Sequence, residues 1–259
     1  MVKASSKRID FYNQKDVWIN YIDEANKLRI NETIKMIPQV QSILEIGCGS
    51  GLILNKLSSN CVIGLDLSRV ALEQVTHEKV IGSCDQLPFK NSSLDVVIAA
   101  ELLEHLDNEN LKKTLSEMYM VACEYILVSV PYKERPWETF VKCANCGNVY
   151  SPYGHQQYFD EKRTRNLIKS KHQKIKLVGI KRRLPFLGRI MQKSGVYGYR
   201  KNSICPLCGS RKLRYGKVEK IVNLVLGRLT KLAHPEPNWI LCLYELRSKN
   251  EIEKSKKKN

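Results

Sequence analysis

Ile43-Leu44-Glu45-Ile46-Gly47-Cys48-Gly49-Ser50-Gly51, with Asp66 at the end of the next apolar run, decides the fold. A short apolar strand feeds straight into a turn carrying three glycines, and a helical stretch is expected from Leu52. Glycines at such a turn remove the side chains that would hold a ligand off the backbone. The turn is also expected to leave helix N-terminal N–H groups facing a ligand carboxylate. About 20 residues on, a carboxylate at a second strand end suits the two hydroxyls of a ribose. The stretch describes a pocket for a nucleoside-containing cofactor.

The details narrow the cofactor. A dinucleotide fingerprint, G-x-G-x-x-G, would need glycine at Leu52, whereas the third glycine is Gly51. Glu45 would repel a pyrophosphate, yet an ammonium or sulfonium ligand would tolerate it. Here the chain resembles the class I S-adenosylmethionine-dependent methyltransferases, whose first motif reads E-x-G-x-G-x-G. Gly64-Leu65-Asp66-Leu67-Ser68 is similar to the family's ribose-binding segment. Val80 to Phe89, with Asp85-Gln86-Leu87, is similar to its adenine-binding one. Ser93 to Ala100 reads as a fourth strand, followed by Glu101-Leu102-Leu103-Glu104-His105-Leu106. That stretch resembles the subgroup that methylates small molecules and lipids. The resemblance implies S-adenosylmethionine as cofactor, held by Glu45, Gly47, Cys48, Gly49, Gly51, Asp66, Leu67, Asp85, Gln86, Leu87 and Glu101.

The wider pattern agrees. Apolar runs at 42–46, 61–66, 79–84, 94–100 and 123–130 alternate with helical stretches at 52–58, 68–77 and 107–121. Such alternation predicts parallel strands joined by right-handed crossovers, a doubly wound α/β sheet of Rossmann-like type. A sixth strand fits Lys174 to Ile180, after a helix that Asp160 caps, and a seventh fits Trp239 to Leu246. In the family the seventh strand is antiparallel. Helical spacing over Gln14 to Ile37 predicts an N-terminal helical segment, and the resemblance implies that it forms a cap (1–40) over the cofactor pocket. The expected domain is 41–180 plus 239–247, with insertions at 132–155 and 181–238 and a disordered, charged tail at 248–259.

Four of nine cysteines are paired: Cys143-Ala144-Asn145-Cys146-Gly147 and Cys205-Pro206-Leu207-Cys208-Gly209. Two C-x-x-C knuckles make a closed Cys₄ shell, the arrangement of structural zinc. Two disulfides or an iron–sulfur cluster are the alternatives. Both knuckles leave the C-terminal edge of the sheet, where doubly wound folds bind ligands. One metal on Cys143, Cys146, Cys205 and Cys208 is therefore expected to clamp two excursions into a substrate platform.

The net charge of +17 is uneven. Residues 1–130 hold 13 Lys/Arg against 17 Asp/Glu, and residues 131–259 hold 30 against 9. A basic substrate half favours phosphate-bearing acceptors. A lipid- or saccharide-linked small molecule, modified on oxygen, is the first reading. RNA methylation, with Lys181-Arg182-Arg183 and Arg211 to Arg214 gripping phosphates, is the second. A non-catalytic, cofactor-bound scaffold is the third. Lys217 to Leu232 places Val218, Ile221, Val222, Val225, Leu229 and Leu232 on one helical face with basic edges. That face is expected to pack on the protein; docking on anionic lipid, with Leu184 to Ile190, is the alternative.

An oxygen or nitrogen nucleophile needs a proton acceptor, and His155 and His105 are the candidates. No N-P-P-Y tetrapeptide follows the fourth strand, which departs from many exocyclic-amine methyltransferases. No apolar run reaches the ~18–20 residues of a bilayer span and no signal-peptide pattern precedes Asp10. A cytoplasmic location, with association at the membrane periphery, is the expectation.

Overall fold

The computed structural model describes residues 22–135, 139–182, 193, 195, 197–198 and 203–247 of the chain. The first half of the expected cap, the Leu184 to Ile190 segment, Arg183 and the tail from 248 lie outside these.

The described elements run α1 (Glu24–Met36), β1 (Ser42–Ile46), β2 (Cys61–Asp66), α2 (Arg69–Leu72), β3 (Glu78–Ile81), β4 (Leu94–Ala100), α3 (Asn108–Val121) and β5 (Ala122–Pro131). The chain continues through β6 (Val141–Lys142), β7 (Val149–Tyr150), α4 (Glu161–Arg165), β8 (His172–Val178), β9 (Lys181–Arg182), α5 (Lys217–Thr230), β10 (Pro235–Glu236) and β11 (Trp239–Glu245). Seven strands form one sheet in the order β3-β2-β1-β4-β5-β11-β8. β1 lies parallel to both β2 and β4, and β11 runs antiparallel to β5 and β8. The strand order reverses between β1 and β4, which opens a crevice at their C-terminal ends.

The central strands β1 and β4 are largely apolar, with Glu45 in β1 and Asp95 in β4 as the charged exceptions, because both sheet faces are covered. Leu44, Ile46, Val97 and Ala99 face the cluster that includes Met118 of α3. Ile43, Val96, Ile98 and Leu127 face the opposite cluster, with Ile30 and Met36 of α1. Asp23 and Asp107 cap α1 and α3 by accepting from Asn26 N and Asn110 N. β8 closes the sheet as an exposed strand bearing His172, Lys174 and Lys176, charges that discourage edge pairing. Lys176 also pairs with Glu32 on α1.

Three expected elements are shorter than their periodicity suggested. The helix expected at 52–58 is a 3₁₀ turn, Leu54–Lys56, and the one at 68–77 is the single turn α2. Asn55 accounts for both: its amide donates to Gln74 O and its Oδ1 accepts from Thr76 N, capturing backbone that a helix would use. The third strand ends at Ile81, and the following Gly82 N–H turns onto Asp66 O. The sixth strand of the sheet, β8, begins two residues earlier than expected, at His172.

The long connection between β8 and β11 is pinned at its base. β9 pairs with β10, and Lys181 Nζ donates to Tyr132 O (2.6 Å) and Asn238 O (3.1 Å). Beyond this base, α5 overturns the expectation that its apolar face packs on the protein. Val218, Ile221 and Leu232 are 64%, 63% and 84% exposed, Val225 and Leu229 are also exposed, and Val222 alone of that row is half-buried. The helix stands off the sheet on an excursion, so the core cannot cover it.

Candidate active site and cysteine cluster

The crevice between β1 and β4 holds a cavity of about 380 Å³. Its floor is the glycine turn. Gly47, Gly49 and Gly51 take φ of 64°, 54° and 78°, the left-handed region that side chains disfavour. Gly47 N and Cys48 N donate to Leu65 O, Gly49 N to Asp66 Oδ2 and Gly51 N to Cys48 O. These N–H groups are therefore spent on the protein, and no regular helix opens at Leu52. The turn offers a ligand its bare backbone surface rather than a helix N-terminus. Burial raises the carboxyl of Asp66 despite its backbone donors. Burial also pushes the Glu45 carboxyl up to about 8, against the pull of Arg29, and Glu45 Oε2 has no hydrogen-bond partner.

The other end of the cavity is built from β4 and two loops. Glu101 follows β4 directly and adopts φ 55°, a conformation rare outside glycine. Its Oε2 accepts from Trp239 Nε1 at 3.0 Å, and Arg29 lies over the Trp239 ring at 5.7 Å. Glu104 is 1% exposed. Burial raises the carboxyls of both Glu101 and Glu104, and their mutual repulsion raises Glu104 further. His105 and His155 meet edge to face with ring centres 4.8 Å apart. His155 Nδ1 lies 2.7 Å from Glu134 Oε1.

A strap makes that meeting possible. Gln156 N and Gln157 N both donate to Glu104 O, at 2.7 and 3.2 Å. Gln156 Nε2 donates to His105 O and Gln157 Nε2 to Leu106 O. Arg163 then holds Gln157 Oε1 at 2.6 Å. Fifty residues of sequence are bridged by one loop laid along the turn after β4.

Of the residues predicted from sequence, Glu45, Gly47, Cys48, Gly49, Asp66, Leu67, Glu101 and His105 line the cavity. Gly51 stays within the turn beneath it. Beyond β3 the lining comes from Gly82 and Cys84. Asp85 bonds Ser83 Oγ, Ser83 bridges to Gln86, and Leu87 N donates to Glu117 Oε2. His155 stands behind His105. Sequence reading missed Arg29 and Trp239, which arrive from distant elements. It also missed Glu104 and Glu134. An acid inside the apolar Leu102 to Leu106 turn was the available signal for Glu104.

The four paired cysteines converge. Cys143 Sγ lies 3.6 Å from Cys208 Sγ, and Cys146 Sγ lies 3.6 Å from Cys205 Sγ. All four sulfurs fall within 4.8 Å of one another. The two knuckles repeat one geometry: Gly147 N donates to Cys143 O and Gly209 N to Cys205 O, with both glycines at positive φ. The Ser210 backbone N–H, aided by Asn145, brings the Cys208 thiol down to about 6. A bridge between Cys143 and Leu213 and a small cluster of Val141, Tyr150 and Leu213 join the excursions around the sulfurs.

Comparison with known proteins agrees with this geometry. Residues 44–124 match the family model described as a methyltransferase domain. An uncharacterized protein of Methanocaldococcus jannaschii is 29% identical over 113 residues, covering 42% of this chain and 49% of that protein. The chain thus spans about half the length of that curated relative. Among solved structures, a S-adenosylmethionine-dependent methyltransferase from Archaeoglobus fulgidus shares 16% identity with a TM-score of 0.53, over 91% of this chain and 96% of that one. Another, from Thermotoga maritima and described as a possible histamine N-methyltransferase, shares 15% identity with a TM-score of 0.55, over 93% and 99%. At these identities the two structures speak for the fold. Sequence match, strand order and cavity agree: residues 44–124 match a methyltransferase domain, and the sheet has the fold of these two methyltransferase structures.

Proposed function

We propose that the protein transfers a methyl group from S-adenosylmethionine to an oxygen of a small, negatively charged acceptor carried on a saccharide or lipid. The observation that carries this reading is the single cavity running from the Glu45–glycine–Asp66 floor to Glu101, His105 and Tyr153. The residues fit the cofactor. Buried Glu45 Oε2 lacks a donor that the cofactor's ammonium would supply, and the side-chain-free turn admits its methionine portion. Asp66 at the end of β2 suits the ribose hydroxyls, and the segment after β3 that lines the cavity with Gly82 and Cys84 would meet the adenine, with Asp85, Gln86 and Leu87 next to it in sequence. An oxygen acceptor must shed a proton, and His105, which lines the cavity with His155 packed behind it, is the nearest group to take it.

The exposed face of α5 favours a lipid-linked acceptor over RNA. α5 presents exposed Val218, Ile221, Val225 and Leu229 between Lys217, Lys220 and Arg228, an apolar row with cationic edges. Such a face enters the boundary of an anionic bilayer, whereas phosphate-gripping surfaces need no apolar row. No helix among the described residues is long and apolar enough to cross a membrane. Zinc on the four cysteines would fix the platform. Tetrahedral zinc with ~2.3 Å sulfur bonds has sulfur–sulfur edges of about 3.8 Å, close to the spacing present. The expected parts follow: a cap over 1–40, a catalytic domain of 41–180 plus 239–247, and insertions at 132–155 and 181–238 joined by the metal.

The test is transfer of labelled methyl from S-adenosylmethionine into fractionated lipid-linked glycan, small-molecule and RNA pools, with Asp66→Ala as control. Alkali-stable label in the lipid-glycan or small-molecule pool is expected. Label in RNA alone overturns the acceptor class. Retained cofactor with no label in any pool identifies a scaffold.

A further inference from the structure

We propose that Glu104, His105 and His155 bind one divalent first-row metal ion behind the end of the cavity that His105 lines, separate from the cysteine cluster. One ligand atom from each residue lies within 4.8 Å of the others. Ligands at ~2.0–2.2 Å from a common ion stand about 3–4 Å apart, so small side-chain rotations close the set.

Glu104 points to a cation independently of that spacing. It is 1% exposed, and neither carboxylate oxygen has a hydrogen-bond partner. A buried carboxyl in that condition is costly whether charged or neutral, because both forms need partners. A bound cation satisfies both oxygens at once. Oε1 of nearby Glu101 is buried and unpartnered too, although it lies outside that group of three.

The histidines are arranged as metal ligands are. Glu134 holds His155 Nδ1 at 2.7 Å, which fixes the tautomer and leaves Nε2 as the ligand atom. The strap from Gln156 and Gln157 to Glu104 O ties the loop bearing His155 to the turn bearing the other ligands. The site is therefore held together before an ion arrives. Glu134 and Arg29 both act on the carboxyls of Glu101 and Glu104, the first repelling and the second attracting, so this corner gathers the charged groups a cation would meet.

The inference deepens the methyl-transfer reading and rests on it for its chemistry. Carboxylate and imidazole donors with open positions suit an ion that binds a hydroxyl and makes it more acidic. The hydroxyl proton passes to solvent, and the oxygen lone pair forms the new O–CH₃ bond. The C–S bond breaks with its electron pair on sulfur, leaving S-adenosylhomocysteine. In this arrangement the two imidazoles act through the ion rather than as bases.

Mn²⁺ titration of the full chain, followed by the electron paramagnetic resonance signal of free Mn²⁺, tests the site without any acceptor. Four soft thiolates do not compete for Mn²⁺. Loss of free signal up to about one ion per chain is expected. Glu104→Gln and His155→Gln should each weaken Mn²⁺ binding at least about tenfold, with S-adenosylmethionine binding by calorimetry within about twofold. If Glu104→Gln does not fold, His155→Gln alone decides. No Mn²⁺ uptake near about 1 mM, or uptake unchanged in the folded variants, overturns the site. Failure of the wild-type chain to bind S-adenosylmethionine would instead sink the cofactor reading, while the Mn²⁺ result stays readable.

Discussion

Gly49 N–H donates to Asp66 Oδ2 at 2.8 Å, and the other oxygen of the same carboxylate takes Ser68 N–H at 2.8 Å. One acid thus joins the glycine turn after β1 to the start of α2. The group proposed to meet the ribose is also what shapes the floor beneath it.

Removing that acid should cost both stability and binding. Asp66→Ala leaves two buried N–H donors without an acceptor, worth about 1–3 kcal/mol each in a buried setting. Calorimetry should show cofactor affinity down at least about tenfold, with a lower melting temperature by differential scanning. Asp66→Asn keeps one acceptor and should recover more stability than binding. Equal recovery of both would mean the carboxylate never meets the cofactor.

The buried Glu45 predicts an unusual pH profile. Its folded-state value of about 8 lies above the ordinary 4.5, so the folded chain holds a proton that the unfolded chain has released. The stability this group contributes is fully present below about 4.5 and is lost as pH rises through about 8. A cationic ligand prefers the ionised form, so cofactor affinity should rise over the same window. Denaturant titrations at several pH values on wild type and Glu45→Gln check the first point. The variant's curve should be flatter, and identical slopes would refute the assignment.

Metal analysis tests the cysteine clamp. Purified chain should carry about one zinc, and Cys205→Ser should lose it together with several degrees of melting temperature. Unchanged metal content and fold in that variant would show that the two excursions need no ion to join them.

α5 should bring the protein to anionic lipid. Co-sedimentation with vesicles containing phosphatidylglycerol is expected, weakened by salt and largely abolished by Ile221→Asp with Val225→Asp. Both positions are exposed, so the double variant should melt with the wild type. Undiminished sedimentation of the variant would place lipid contact elsewhere.

The sheet was legible because buried parallel strands read as apolar runs, and the Glu45 to Gly51 turn announces itself by residue type. Helix lengths beside the turn were not, since Asn55 captures backbone at Gln74 and Thr76 through a contact about twenty residues away in sequence. The acceptor end was only half legible. His105 and His155 stand out as histidines, but Glu134 and Arg29 join them through loop and helix placement that no local period encodes. Exposure of the α5 face was misread for a related reason. An amphipathic pattern states which face is apolar, not what covers it.

The narrow base of the long connection has one more consequence. β9 and β10 bring Lys181 and Glu236 face to face, so the whole excursion enters and leaves the sheet through a doorway two residues wide. A short reverse turn grafted there would close the catalytic half without disturbing β8 or β11. If the excursion selects the acceptor as proposed, it is an exchangeable part, and swapping it between relatives should change which acceptors are methylated.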